Sequence, residues 1–542
     1  MRLTRIFGVA AAVVALAAAG CGETREPSSA SGGGSGTPAS GGAGGDATFT
    51  YVDNNTIMVG WDPATSYSNE VVAMNNMYEQ LVRWNNETKK VEPLLAESWE
   101  SSKDGRTWTF KLRQGVKFHT GKTMDAAAAK AAIDRTREIN EGAAYEWGAV
   151  KSIAAPDAST LVFKLKYAAP LDLIASSAYA AYIYDVSAAP KGKKASEKWF
   201  EEGNEAGTGP YQLDQWNKGQ ESELRLKRFD GYWGGWEGAK YTRVVFRVVP
   251  QDTTASQLLE SGDATFLQRL TPQLLAQVKG ESGIKTAEAP SFQNLIGFLN
   301  TESGPLKDLK VRQAVVAAMD YDGYISALKG AAVRASGTIP EGLLGYDPSL
   351  KQQQDLGKAE ALLKEAGYGP GGKKLTIEVT HAAGDDDLAL AASLLKSKLT
   401  PLNVDVKVTP LEWTSQWNRG KAKDPSKRQD VFLMYWYPDY ADPFSWFTSV
   451  WKSADEPYFN LSYLKDPELD KQIDGLEELA ATDRDAADAA YKAAQKRIVD
   501  QAAGMFLSVQ QYQRAYRDEF DGYVDNPAYA NVVFVHGLTR KG

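Results

Sequence analysis

Val431-Phe432-Leu433-Met434-Tyr435-Trp436-Tyr437-Pro438-Asp439-Tyr440-Ala441-Asp442-Pro443-Phe444-Ser445-Trp446-Phe447 is the stretch from which this 542-residue chain is read. Its first four residues form an apolar run with the length of a buried strand. The chain then breaks into a loop punctuated by Pro438 and Pro443. That loop sets two carboxylates, Asp439 and Asp442, among Trp436, Tyr437, Tyr440, Trp446 and Phe447. A carboxylate leaving a buried strand for an aromatic cleft keeps its charge only with a cationic or hydrogen-bonding partner. Water can serve in an empty protein and the ammonium of a ligand in a loaded one. The rest of the chain is read as scaffold and hinge for that pocket.

The neighbouring segments predict an α/β lobe. A strand over 375–380, a helix over 388–399 and a strand over 404–408 make a strand–helix–strand unit. Residues 356–366 place Ala359, Leu362, Leu363 and Ala366 on one helical face, with Gly367 as the residue after the C-cap. A long helical stretch, 467–503, precedes a strand over 505–509. Towards the N-terminus, a strand is expected over 48–52, a polar loop through Trp61-Asp62-Pro63, and helical spacing over 70–82. In a strand over 107–113, Trp108, Phe110 and Leu112 share one face. Asp125 is placed to cap an alanine-rich helix that runs to Ile139. Strands over 211–216 and 223–228 flank a turn at 217–219. A third, 243–249, leads into a helix stopped by Gly262. No repeat of solenoid period is visible.

Lys+Arg total 61 against 69 Asp+Glu, a net charge of −8, which argues against a nucleic-acid partner. The first residues carry more information. Arg2 and Arg5 precede an apolar stretch, 6–19, that is too short to span a bilayer comfortably. It ends in Leu16-Ala17-Ala18-Ala19-Gly20-Cys21, and Cys21 is the only cysteine. Small residues ahead of that cysteine resemble a bacterial lipoprotein lipobox. The resemblance implies cleavage before Cys21 and lipidation of its thiol and new amine; the alternative is an ordinary signal peptide cut elsewhere. Removing 1–20 takes Arg2 and Arg5 away and moves the net charge from −8 to −10. Residues 22–46 are rich in Ser, Gly, Ala, Thr and Pro and read as a flexible tether. An extracytoplasmic protein is expected, anchored by lipid to the membrane, at the cell surface or in a periplasm.

The N-terminal segments resemble the family 5 extracytoplasmic solute-binding proteins, which include oligopeptide- and dipeptide-binding proteins of ABC importers. The resemblance continues at Gly207-Thr208-Gly209-Pro210-Tyr211, at Phe229-Asp230-Gly231-Tyr232-Trp233-Gly234-Gly235, and at Val311-Arg312-Gln313-Ala314 with Met319-Asp320. It extends from about residue 50 to about residue 525. It implies a two-lobed α/β fold of the periplasmic-binding-protein type II class, with mixed sheets and an extra domain. The expected division is signal peptide 1–20 and tether 21–46, then lobe I from 47–83, 207–299 and 510–542. The extra domain is 84–206 and lobe II is 300–509. Two chain crossings are expected, near Asn300 and near Gln510, which permit hinge closure over a ligand.

In the peptide-binding members, an Asp shortly after a Trp, within an Asp-Tyr-x-acid-Pro pattern, holds the ligand's α-ammonium. Trp436, Asp439, Tyr440, Asp442 and Pro443 match that pattern. Asp439 is therefore the candidate for the ammonium; the competing reading is a turn acid satisfied by backbone N–H groups. Asp442 is read as shaping the turn before Pro443. The carboxylate end has no counterpart by pattern, because Leu433 stands where some members place an arginine and 385–387 where some place a histidine. Arg419 is the candidate carboxylate partner. Ser66 and Tyr67 are candidate cleft contacts by position, and Trp413, Trp417, Trp436, Tyr437 and Trp446 are candidate walls. Aromatic walls also suit the faces of sugars.

Signals for catalysis are weak. Residues 115–123 miss the Walker A spacing by one and read as a hairpin turn. Ser-x-x-Lys occurs at 326–329 and 393–396 without its companion motifs. The three histidines, His119, His381 and His536, are widely separated, so no metal site and no cofactor is expected. The expectation is a monomeric, non-catalytic binding lipoprotein that hands peptides to an ABC permease with its ATPase subunits. An oligosaccharide binder of the same fold, a peptide sensor and a surface-anchored hydrolase are the alternatives.

Overall fold

The computed structural model describes residues 47–54, 60–216 and 223–541. The lipobox ending at Cys21, the tether and the turn expected at 217–219 lie outside the described residues.

Two long strands organise the molecule. Ile284–Leu299 and Gly504–Arg517 run antiparallel at the centre of an eleven-stranded mixed sheet. On one flank Val431–Trp436, Leu375–Ala382 and Val404–Leu411 follow in that order. On the other come Phe266–Leu267, Thr48–Asp53, Arg243–Val248, Glu223–Arg228 and Tyr211–Trp216. Each flank carries its own helices, and these are the two lobes. The register of the central pair shifts between Pro290 and Asn294. Residues 284–290 pair with 511–517 on the first flank, and 294–298 with 504–509 on the second. The sixteen-residue strand Ile284–Leu299 contains Pro290 and lacks strict alternation, so its length is not apparent from its pattern.

Local chemistry explains most element ends. The Asp125 side chain accepts from the Ala128 N–H at 2.8 Å and starts the helix Ala126–Ile139. The helix Asp252–Ser261 stops at Gly262, whose φ of 85° is left-handed. The expected 467–503 helix is two helices, Pro467–Thr482 and Arg484–Asp500. Asp483 takes a β conformation and caps the second from its side chain, so one residue both ends and restarts the helix. The helical spacing over 70–82 yields only Val71–Met77, after which Val82–Asn85 is a strand. A separate four-stranded antiparallel sheet, ordered Ala96–Ser101, Thr107–Leu112, Thr160–Leu165, Val150–Asp157, stands beside the first lobe.

One buried ion pair ties this added sheet to the lobe. Arg135, from the helix Ala126–Ile139, makes a buried bidentate pair with Asp62 and also donates to the Tyr184 hydroxyl at 2.9 Å and the Ser196 Oγ at 3.0 Å. The Gly207-Thr208-Gly209 turn lies against the last residue of Val71–Met77. A Cβ on Gly207 would sit 2.0 Å from the Met77 carbonyl oxygen, so only glycine permits that approach.

Candidate functional site

The strand Val431–Trp436 is buried because it is sandwiched between neighbours. It runs parallel to Leu375–Ala382 and antiparallel to Ile284–Leu299. Its last residue, Trp436, pairs with Asn294, where the central pair changes register. The chain therefore leaves the sheet at the seam between the lobes. The loop's return is pinned there as well: the Trp446 indole N–H donates to Asn294 Oδ1 at 3.0 Å, and Asn294 Nδ2 donates to the Thr338 carbonyl at 2.8 Å.

Tyr437 and Asp439 project into a cavity of about 1570 Å³ lined from both lobes and from the central strands. That exceeds the roughly 300–1,000 Å³ usual for a drug-sized ligand. Asp439 is 7% exposed. Its Oδ2 accepts from the Tyr145 hydroxyl, and its main-chain carbonyl accepts from the Ala178 N–H at 3.1 Å. Both contacts come from the opposite side of the seam. Among the described residues no lysine or arginine is paired with it. Burial pushes its pKa up to about 7, and the Tyr145 hydrogen bond offsets only part of that. Glu146 lies behind it, 1% exposed, and is raised well above the carboxylate range by burial and by Asp439. The Ser177 side chain beside it offsets only part of that rise.

Asp442 has a different environment. It accepts from the Phe444 N–H at 2.9 Å and the Tyr491 hydroxyl at 3.0 Å and does not line the cavity. Burial raises it to about 6.

Of the aromatic candidates, Trp413, Trp417, Trp436, Tyr437 and Tyr67 line the cavity. Trp413 and Trp417 stack at 5.5 Å. Tyr440 is 2% exposed and packs away from the cavity, and Trp446 is fully buried in its contact with Asn294. Ser66 turns inward too: its hydroxyl donates to Glu70 Oε1 at 3.0 Å, and the Tyr67 and Ser68 N–H groups join at the same oxygen. Arg419 lies outside the cavity, its guanidinium forked onto both oxygens of Glu378 on the strand Leu375–Ala382. Burial alone would raise the Glu378 carboxyl, but Arg419, Thr409 and Lys407 hold it down at about 2.

Two lining residues carry no signal in the sequence. Phe459 stands 5.0 Å from Trp436, 5.6 Å from Trp417, 6.2 Å from Tyr67 and 6.5 Å from Tyr145, so it is the hub of the aromatic wall. Arg269 reaches in from the first lobe and meets Asp387 of the second at 3.7 Å across the cavity. No group of three or more His, Cys, Asp or Glu placed to hold a metal occurs among the described residues, nor does any helix long and apolar enough to cross a membrane.

Two lobes on one sheet, with a large cavity at their seam and a buried acid turned into it, define a two-lobed binding protein. The chain belongs to the bacterial extracellular solute-binding proteins, family 5, whose family profile matches residues 90–458. It is similar to the probable D,D-dipeptide-binding periplasmic protein DdpA of Escherichia coli K12, 29% identical over 488 residues covering 88% of this chain and 92% of that protein. A dipeptide-binding protein of the same organism is 29% identical over 476 residues, covering 83% and 87%. Among solved structures, NikA from Brucella suis in complex with Fe(III)-EDTA matches with a TM-score of 0.78 and 25% identity, over 92% of this chain and 100% of that one. DppA from Helicobacter pylori in complex with the peptide STSA matches with a TM-score of 0.79 and 23% identity, over 91% and 98%.

Proposed function

We propose that this protein captures peptides with a free amino terminus, closes its lobes over them and delivers them to an ABC permease. The observation that carries the reading is Asp439: a carboxyl buried at the seam, facing the cavity, with a tyrosine hydroxyl beside it and no cation. A ligand ammonium placed there offsets the desolvation of both charges, provided further hydrogen bonds complete the site. The curated relatives named for dipeptide binding support the same ligand class. The hinge we assign to 291–293 and to Gln510, where the central strands change partners, rather than to Asn300. Residues 84–206 then form the extra domain of lobe I, and the Cys21 lipid anchor holds the protein at the membrane.

Calorimetry tests the ligand class directly. Free-amine di- to pentapeptides are expected to bind and to raise the melting temperature as RT ln(1 + [L]/Kd) predicts, and their N-acetylated forms to bind far more weakly. Binding of cello- or xylo-oligosaccharides in place of peptides, or turnover of a bound peptide, would contradict the reading.

A further inference from the structure

The cavity wall is electrically one-sided. Among the described residues, seven carboxylates line it against three cations. Asp439 stands at one end. Tyr437 leads away from it: it lies near Tyr179, which faces Asp439, and it also lies near Asp385. At that far end Asp252, Asp385 and Asp387 surround the single guanidinium of Arg269.

The three cations do not balance this wall. Arg514 is spent on Asp525, Asn531 and the Gln268 carbonyl. Lys329 is exposed to solvent. Arg269 makes one ionic contact, with Asp387 at 3.7 Å. Asp252 accepts the Thr271 N–H and Asp385, the cap of the helix Asp386–Leu399, the Leu388 N–H, each at 3.0 Å, and burial raises both carboxyls despite Arg269.

One further observation marks an unmet polar group at this end of the cavity. The Tyr435 hydroxyl, close to Asp385 and Asp387, is buried with no hydrogen-bond partner, so its lone pairs are unspent. In a closing cavity an excess of carboxylates favours a ligand that brings more than one positive charge.

We propose that the cavity selects peptides carrying two positive charges, a free amino terminus held by Asp439 and a lysine or arginine side chain held at the Asp252, Asp385 and Asp387 end. The proposal rests on the peptide reading above and names its substrate class.

The test is calorimetry on the purified full chain with free-amine tripeptides that differ at one position, carrying lysine, norleucine or glutamate there, each position scanned in turn. At one position at least, the lysine peptide is expected to bind ten-fold or more tighter than the norleucine peptide, with the glutamate peptide weakest. In Asp252→Asn and Asp385→Asn, whose amide oxygens can still accept the Thr271 and Leu388 N–H groups, the lysine-to-norleucine ratio is expected to fall towards one. Equal affinity for the lysine and norleucine peptides at every position would overturn this inference and leave the peptide reading standing. A lysine preference that both variants retain in full would overturn the assignment of its site. Failure of all the peptides to bind would overturn both readings.

Discussion

At the scale of the residue, the behaviour of Asp439 follows from what surrounds it. Burial without a cation lifts its carboxyl to about 7 in the empty protein, so near neutral pH the site is only half charged. An ammonium needs the carboxylate, and binding therefore releases a proton from that group. The sign is fixed: affinity falls as pH drops through 7, by up to tenfold per unit. It falls again above the pKa of about 8 of a peptide's amino group. Peptide affinity measured by calorimetry from pH 5 to 9.5 is expected to peak between 7 and 8, with up to one proton released per ligand at pH 6. A flat profile from pH 5 to 8 would mean that Asp439 does not carry the interaction. The strand, the loop and Asp439 were legible in order along the chain, with Asp442 as the turn acid before Pro443. Phe459 and Arg269 were not, because each reaches the cavity through tertiary packing from a segment with no pattern of its own. Arg419 stood out as the spare cation near the loop, yet its helix, Trp413–Gly420, turns it onto Glu378 on the neighbouring strand.

At the scale of the element, the helix Ala126–Ile139 shows how a local signal and a distant one divide the work. Its start was readable from Asp125, because a cap acts within one turn. Its attachment was not, because the Asp62–Arg135 pair spans 73 residues. With both groups buried and each hydrogen-bonded further, the pair ties the added sheet to the first lobe. Arg135→Met leaves Asp62 buried and uncompensated and is expected to cost about 3–5 kcal/mol in a denaturant titration. A loss below about 1 kcal/mol would mean that solvent reaches Asp62 once the arginine is gone. The two helices read as one over 467–503 illustrate the reverse limit. Composition there is helical throughout, and only the backbone of Asp483 reveals the break.

At the scale of the whole molecule, the two lobes share one sheet, and the seam gathers carboxyls. Asp439 at about 7, Asp442 at about 6 and Glu477 at about 7 are all lifted by burial. Glu477 also accepts from Tyr167 of the added sheet's side at 2.8 Å. Folding takes up protons at such groups between their unfolded values near 4 and their folded ones, so their contribution to stability is full at low pH and is lost as pH rises through 6 to 7. The melting temperature of the ligand-free protein is expected to rise on acidification from pH 8 to about 5. Below about 4.5 the opposite group, Glu378 at about 2, begins to lose its own contribution. A saturating free-amine peptide should flatten the slope, since Asp439 then stays charged. A ligand-free melting temperature that falls steadily from pH 8 to 5 would contradict this account of the seam.

The most direct measurement is the affinity of one free-amine peptide and its N-acetylated twin for the natural protein and for Asp439→Asn, by calorimetry at pH 7.5. The substitution keeps the side chain's shape and its hydrogen bond with Tyr145 while removing the charge. The account predicts that the free-amine peptide loses about 2–5 kcal/mol of binding free energy in the variant and that the acetylated peptide changes little. Equal affinity of the free-amine peptide for both proteins would show that its ammonium is held elsewhere.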